Sequence, residues 1–92
     1  MDRITKKNLT HLLDLINTTT RHSTEAWAKG DDGLWAANVG TYVLDWAYGG
    51  VRLCQLCNKG GGQRDVTRRG TKRETYHLMR AFLAGVEATL AR

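Results

Sequence analysis

The stretch TYVLDWAYGGVRLCQL, residues 41–56, has the alternating pattern of two β-strands joined by a tight turn. Every second residue of its first half is large and apolar: Tyr42, Leu44, Trp46 and Tyr48. Gly49 and Gly50 supply a two-residue turn, because glycine adopts positive φ angles without steric cost. This turn would pair Tyr48 with Val51 and place Trp46 opposite Leu53. We therefore expect an antiparallel hairpin with one apolar face that is directed to the core.

The other face of this hairpin combines small apolar residues with one pair of opposite charges. The apolar residues are Val43, Ala47, Cys54 and Leu56. Asp45 and Arg52 lie on the same face, where we expect a diagonal ion pair. With the helices on the core side, this face should be open to solvent and suited to docking a protein. A base-stacking platform for nucleic acid would need exposed aromatic residues, and the pattern does not indicate them.

Two amphipathic helices flank the strands. The first has Thr5 as its predicted N-cap and ends near Asn17, with a stripe of apolar residues at helical spacing: Leu9, Leu12, Leu13 and Ile16. The second begins with a T-x-x-E capping box, Thr71 to Glu74, and reaches nearly to Arg92. Its stripe is Leu78, Met79, Phe82, Leu83, Val86 and Leu90. The small residues of this helix, Ala81, Ala84, Gly85 and Ala88, fit either packing on the sheet or self-association.

The remaining segments complete an α+β arrangement. Residues 25–38 place two Trp-bearing runs around Gly-Asp-Asp-Gly, which predicts a hairpin, with a short helix over 24–29 as the alternative. Residues 58–70 predict a flexible loop or a short edge strand. We expect a single domain over 1–92: N-terminal helix, three- to four-stranded antiparallel sheet and C-terminal helix, in two layers with both helices on one face.

Length and composition narrow the class of protein. With 92 residues and 41% apolar residues, the chain suffices for one core, near the size at which subunits, metals or disulfides often add stability. A homodimer is therefore an alternative to a monomer. No apolar run reaches the ~20 residues of a membrane span, and no secretory signal is evident, so we expect a cytoplasmic protein without membrane contact. In that reducing compartment the two cysteines should be free thiols or metal ligands.

The net charge of +5 predicts an anionic partner, or simply a solvated basic surface. Most of the charge lies in residues 59–73, where Asp65 is the one acidic residue. The candidate binding residues are Lys59, Arg64, Arg68, Arg69, Lys72 and Arg73. A glycine-rich loop followed by a helix N-terminus is suited to phosphate or carboxylate groups. No nucleotide-hydrolysing loop motif accompanies it, so a phosphate-rich ligand or nucleic acid would be bound without hydrolysis.

The sequence gives little support for metal binding or catalysis. Cys54 and Cys57 have the spacing of half a zinc knuckle, but on an extended strand they would lie roughly 10 Å apart on opposite faces. Buried thiols are therefore favoured over a zinc site completed by one of the histidines: His11, His22 and His77. The histidines lack any ligand spacing, and no pair of carboxylates is arranged for acid–base chemistry. We expect neither an enzyme nor a cofactor.

Several short patterns occur together along most of the chain. They are an Ile-Asn-x-x-Thr helix end, an Asn-x-Gly-x-Tyr-x-Leu strand, an Ala-Tyr-Gly-Gly turn, a Gly-Gly loop, a Lys-Arg-Glu-x-Tyr helix start and an Ala-Phe-Leu-x-Gly helix segment. Here they begin at Ile16, Asn38, Ala47, Gly61, Lys72 and Ala81. In these patterns the chain resembles a family of small proteins encoded by tailed phages and prophages. The cysteine pair is not part of the resemblance.

The resemblance implies a role in takeover of the host or evasion of its defences, by binding rather than catalysis. We therefore expect an inhibitor of host immunity in the bacterial cytoplasm: an anti-CRISPR type protein or a sponge for signalling nucleotides. Its partner would be a host protein, a ribonucleoprotein complex or a phosphate-rich ligand. A nucleic-acid-binding accessory or regulatory protein is the alternative, and a zinc-knuckle protein is the less favoured one.

Overall fold

The computed structural model describes residues 3–91. Its elements, in chain order, are α1 (Lys6–Thr19), β1 (Trp27–Lys29), β2 (Trp35–Ala37), β3 (Tyr42–Ala47), β4 (Gly50–Leu56), β5 (Gln63–Asp65) and α2 (Lys72–Leu90). Strands β1 and β2 form a two-stranded sheet, and β3, β4 and β5 form a separate three-stranded sheet in that order. All pairs are antiparallel. The predicted α+β class is confirmed, with the strands divided between two sheets.

Both helices begin at the predicted caps. Thr5 Oγ1 accepts from the Asn8 backbone N–H at 3.2 Å, and Asn8 Oδ1 accepts from the Thr5 N–H at 2.8 Å. Thr71 and Glu74 exchange the equivalent hydrogen bonds at 3.1 and 2.9 Å. The hydrogen bond from the Thr71 backbone lowers the pKa of the Glu74 carboxyl. These reciprocal bonds satisfy backbone donors that the first helical turn leaves without partners.

The core lies between the helices and one face of the three-stranded sheet. Its buried members come from both helices and from β3 and β4: Leu9, Leu12, Ile16, Tyr42, Val51, Leu53, Met79 and Leu83. The two-layer prediction is therefore correct. The small residues of α2 (Ala81, Ala84, Gly85 and Ala88) are exposed, so they do not pack on the sheet, and self-association stays a prediction. Leu90, from the predicted stripe, is 64% exposed.

The β3–β4 turn lies one residue earlier than predicted, which shifts the strand pairing by two residues. Ala47 pairs with Gly50, so Tyr48 and Gly49 form the turn and Trp46 lies opposite Val51. The chain before α2 passes directly over Gly50, the first residue of β4. A Cβ at Gly50 would lie 2.2 Å from the carbonyl oxygen of Gly70. A shift of two residues keeps the paired side chains of β3 and β4 on their expected faces, and Tyr42, Val51 and Leu53 lie in the core. Trp46 and Tyr48, which were predicted to face the core, are exposed.

The outer face of this sheet is not the open docking face that we expected. Cys54 and Leu56 are buried there. β4 is the central strand because the chain folds back after Leu56 and adds β5 along its other edge. The β1–β2 hairpin attaches to this returning loop through a hydrogen bond of 2.9 Å from the Ala37 N–H to the Lys59 carbonyl. Asp45 and Arg52 lie directly opposite each other, not diagonally.

Two buried polar side chains join the helices to the sheet. The Asn17 side chain donates to the carbonyl of Tyr42 at 3.0 Å and accepts from its N–H at 2.8 Å, in the manner of a neighbouring strand. Thr75 Oγ1 donates to the carbonyl of Val51 at 2.9 Å. Both residues are at most 1% exposed. Neither contact was predicted, because polar residues in a helix are ordinarily expected to face water.

Neither helix of residues 3–91 combines the length and the apolar composition that a bilayer-spanning segment needs.

Candidate anion-binding surfaces

The predicted basic residues occupy four different places in the fold. Lys59 lies in the loop after β4, Arg64 lies on β5, Arg68 and Arg69 lie between β5 and α2, and Lys72 and Arg73 form the first turn of α2. Their proximity in the chain therefore does not make them one site. The six residues also differ in how strongly other residues of the protein bind their side chains.

Arg69 is engaged inside the protein. Its guanidinium donates to the Asp45 carboxylate at 2.7 Å and to the carbonyl oxygens of Asp45 and Gly50 at 3.0 Å each. Arg52 donates to the same carboxylate at 2.8 Å and also pairs with Asp65. The hydrogen bonds from Arg52 and Arg69 lower the pKa of Asp45. Arg69 thus ties the loop before α2 to the β3–β4 hairpin.

Arg64 and Arg68 make weaker contacts. Arg64 Nε donates to Gln55 Oε1 at 2.8 Å, and both residues lie on adjacent strands. Arg68 lies 3.6 Å from a carboxylate oxygen of Glu74, with 68% of its side chain exposed. An exposed pair of this kind contributes little to stability. Both guanidinium groups therefore remain accessible to a partner.

The first turn of α2 forms one wall of a basic depression. Arg3, Ile4, Thr71, Lys72 and Arg73 line it, with a volume of about 340 Å³. Ile4 and Thr71 lie at the starts of α1 and α2, so both helices begin side by side. Their positive dipole ends add to the field of the three cations. We call Arg3, Lys72 and Arg73 the basic end.

A second basic depression lies farther along the two helices. Its lining is Lys7, Asn8, His11, Leu12 and Leu15 from α1, with Tyr76 and Arg80 from α2, and its volume is about 320 Å³. Among residues 3–91, no Asp or Glu lines it. We call this depression the helix groove. The groove was not predicted because its cations come from residues that lie about 70 positions apart in the chain. The i, i+4 spacing of Lys7 and His11 places both on one face of α1, and this spacing was the indication of the groove that the sequence offered.

Aromatic residues are more exposed than predicted. Trp35 is 66% exposed, Trp27 and Trp46 are exposed by two fifths or more, and Tyr48 is fully exposed at the turn. The prediction that exposed aromatics were lacking was wrong, since the β1–β2 hairpin forms its own sheet and does not bury Trp35. Lys6 places its ammonium 5.4 Å from the centroid of the Trp46 ring. Asp31 and Asp32 border the cavity beside Trp35.

The two cysteines have different environments. Cys54 is fully buried on β4, and burial raises the pKa of its thiol. Cys57 is exposed because β4 ends at Leu56, and its thiol donates to the Gly62 carbonyl at 3.2 Å. Among residues 3–91, no group of three or more His, Cys, Asp or Glu side chains is placed to hold a metal ion.

The chain matches no protein-family description, no curated protein and no solved structure. The resemblance to small phage proteins therefore stays a prediction.

Proposed function

We propose that this protein is a non-catalytic binding protein that engages an acidic or phosphate-rich surface of a bacterial host protein or ribonucleoprotein complex. The observation that supports this is the basic end, where Arg3 meets Lys72 and Arg73 at the starts of both helices. Arg64 and Arg68 extend the positive charge along the preceding strand and loop. Convergent cations of this kind accelerate association with an oppositely charged partner.

Local electrostatics favour an anion at the basic end. Lysine and arginine in the first turn of a helix are repelled by its positive dipole end, which costs stability. Lys72 and Arg73 nevertheless occupy the first turn of α2, and Glu74 provides its one acidic residue. Residues that break a local rule in this way are concentrated at functional sites. A bound carboxylate or phosphate would relieve the repulsion.

The biological role that we propose rests on the resemblance to phage proteins. Binding would block a host defence complex, in the manner of an anti-CRISPR type inhibitor. A nucleic-acid-binding accessory protein is the second candidate, which the exposure of Trp27, Trp35 and Tyr48 supports because bases stack on accessible aromatic rings. The carboxylates Asp31 and Asp32 beside Trp35 repel a phosphate backbone and make this candidate the weaker one.

Phage infection of bacterial strains that each carry one defence system tests the proposal. Expression of the protein should restore plaque formation in at least one strain. Lys72→Glu should abolish this effect, whereas Lys29→Glu on β1, with the same change of charge, should retain it. A glutamate in the first turn favours the helix dipole, so loss of activity in Lys72→Glu cannot be ascribed to a weakened helix. Failure in every strain, or equal loss in both variants, would contradict the proposal.

Binding to duplex and single-stranded DNA separates the second candidate from the first. If nucleic acid is the partner, the logarithm of the affinity should fall linearly with the logarithm of the salt concentration. Lys72→Glu should reduce the steepness of this dependence by the amount that one phosphate contact contributes, about 1. Strong, salt-dependent binding of this kind without any rescue of plaque formation would replace the proposed inhibitor by a nucleic-acid-binding protein.

A further inference from the structure

The helix groove has the composition of a ligand site rather than of an ordinary helix–helix seam. Leu12 is 2% exposed at its base, and Leu15 is 40% exposed at its side. The phenol of Tyr76 and the cations of Lys7 and Arg80 complete the lining. Small-molecule sites commonly combine an apolar base with a few convergent polar groups, in cavities of ~300–1,000 Å³. At about 320 Å³ the helix groove lies at the small end of this range.

Three polar side chains of the groove have no partner within the described part of the fold. The side chains of Lys7, His11 and Arg80 make no hydrogen bond or ion pair with any other residue among 3–91. This differs from Arg69 and Arg52, whose guanidinium groups are held by carboxylates. Asn8 Oδ1 caps α1, which leaves its amide nitrogen as a donor. The described lining of the groove therefore presents donors and positive charge without a carboxylate.

We propose that the helix groove binds a small organic phosphate of the size of a nucleoside monophosphate. Lys7 and Arg80 supply two positive charges, which match the charge of about −1.5 to −2 on a phosphate monoester at neutral pH. The apolar base and the Tyr76 ring supply a surface for the nucleoside, which inorganic phosphate cannot use. The volume suits one nucleotide. This site is separate from the basic end and does not depend on the proposed host partner.

The polar side chains of the groove come from both helices. Because α1 and α2 start side by side, Lys7 and His11 on α1 face Tyr76 and Arg80 on α2 across the groove. Because Lys7 and Arg80 line the same groove, a phosphate bound in it would have donors from both helices around it. Arginine binds phosphate in a two-pronged geometry that lysine cannot reproduce, so Arg80 should contribute more to binding than Lys7.

Isothermal titration calorimetry of the full chain with nucleoside 5′-monophosphates tests the site. Adenosine without phosphate and inorganic phosphate serve as the two partial ligands. We expect one monophosphate per chain, with both partial ligands at least tenfold weaker. Lys7→Gln and Arg80→Gln should each weaken binding by about tenfold or more, the effect of losing one charged hydrogen bond. Lys29→Gln, the matched control on β1, should bind as the wild type does.

Spectroscopy of the rings in the groove gives an independent measurement. In proton NMR spectra, the ring resonances of His11 and Tyr76 should shift on addition of the monophosphate, while those of His22 should not. Absence of binding by all four common monophosphates at millimolar concentration would overturn the proposal. Equal weakening by Lys29→Gln would also overturn it, because the attraction would then be non-specific. Equal affinity for inorganic phosphate would refute the role of the apolar base. Lys72→Glu should leave this binding intact, so the two proposals can fail separately.

Discussion

Arg69 binds Asp45 through its guanidinium, with 2.7 Å between Arg69 Nη2 and the carboxylate. The same guanidinium also binds the backbone carbonyls of Asp45 and Gly50. The loop before α2 is thereby held against the β3–β4 hairpin, and Lys72 and Arg73 follow it immediately in the chain. One of the six predicted binding residues is thus a structural arginine that positions two of the others.

Replacing Arg69 by alanine should destabilise the protein, since three hydrogen bonds from one guanidinium are lost. We expect Tm to fall by about 4–8 °C or more, since 4–8 °C is the shift that the loss of one average hydrogen bond produces in a domain of this size. Arg68→Ala is the matched control, because its guanidinium is exposed and should change Tm by less than about 2 °C. Thermal unfolding followed by circular dichroism measures both. Equal Tm values for the two variants would contradict the assigned role of Arg69.

The interaction of Asp45 with Arg52 and Arg69 should make stability depend on pH. The pKa of Asp45 is lowered in the folded protein, so the unfolded chain takes up its proton first as the pH falls. The stabilisation is complete above the unfolded value of ~3.9 and is lost as the pH falls through the folded pKa. The stability difference between wild type and Asp45→Asn should therefore be constant from pH 7 to about 5 and shrink towards pH 3.

Urea unfolding at a series of pH values checks this expectation for Asp45. Asp31→Asn, in the turn between β1 and β2, controls for the change of net charge. A difference between wild type and Asp45→Asn that stayed constant down to pH 3 would show that the carboxylate is not stabilised by its two arginines.

The two glycines at the β3–β4 turn should differ in their tolerance of alanine. Both have positive φ angles, +98° at Gly49 and +131° at Gly50. At Gly49 no atom lies within 4 Å of an added Cβ, so alanine should cost about 1–2 kcal/mol of backbone strain. At Gly50 the Cβ would collide with the Gly70 carbonyl and disrupt the Val51–Gly70 bridge, at a cost above about 3 kcal/mol. Chemical denaturation measures both, and equal losses would refute the observed register.

Asn17 should be among the most sensitive positions of α1. Asn17→Leu conserves the approximate size of the side chain but leaves the buried N–H and C=O of Tyr42 without partners. Each unsatisfied backbone group costs about 1–3 kcal/mol, so we expect a total loss of about 2–5 kcal/mol in the free energy of unfolding. Thr18→Ala, at an exposed neighbouring position, should change stability by less than about 0.5 kcal/mol. A loss below about 1 kcal/mol in Asn17→Leu would contradict the bridging role.

Local sequence patterns were sufficient to predict the elements that depend on residues close to each other in the chain. The caps at Thr5 and Thr71 and the alternation along residues 42–56 depend on neighbours within four positions. The structure confirms both helix starts and the core positions of Tyr42, Val51 and Leu53. The apolar stripe of α2 likewise located Met79 and Leu83 in the core. Period and capping are properties of short stretches of chain, which is why the sequence alone was sufficient for them.

Contacts between distant segments decided the rest. The register at Gly50 depends on Gly70, the role of Arg69 depends on Asp45, and the buried bonds of Asn17 depend on Tyr42. The helix groove exists because two helices from opposite ends of the chain lie side by side, so that Lys7 and Arg80 share one surface. No local sequence pattern specifies that these two residues lie on one surface, because their positions depend on how the core packs. The predicted cluster of basic residues was a cluster in the chain, whereas tertiary packing determines which cations are accessible and which are held by carboxylates.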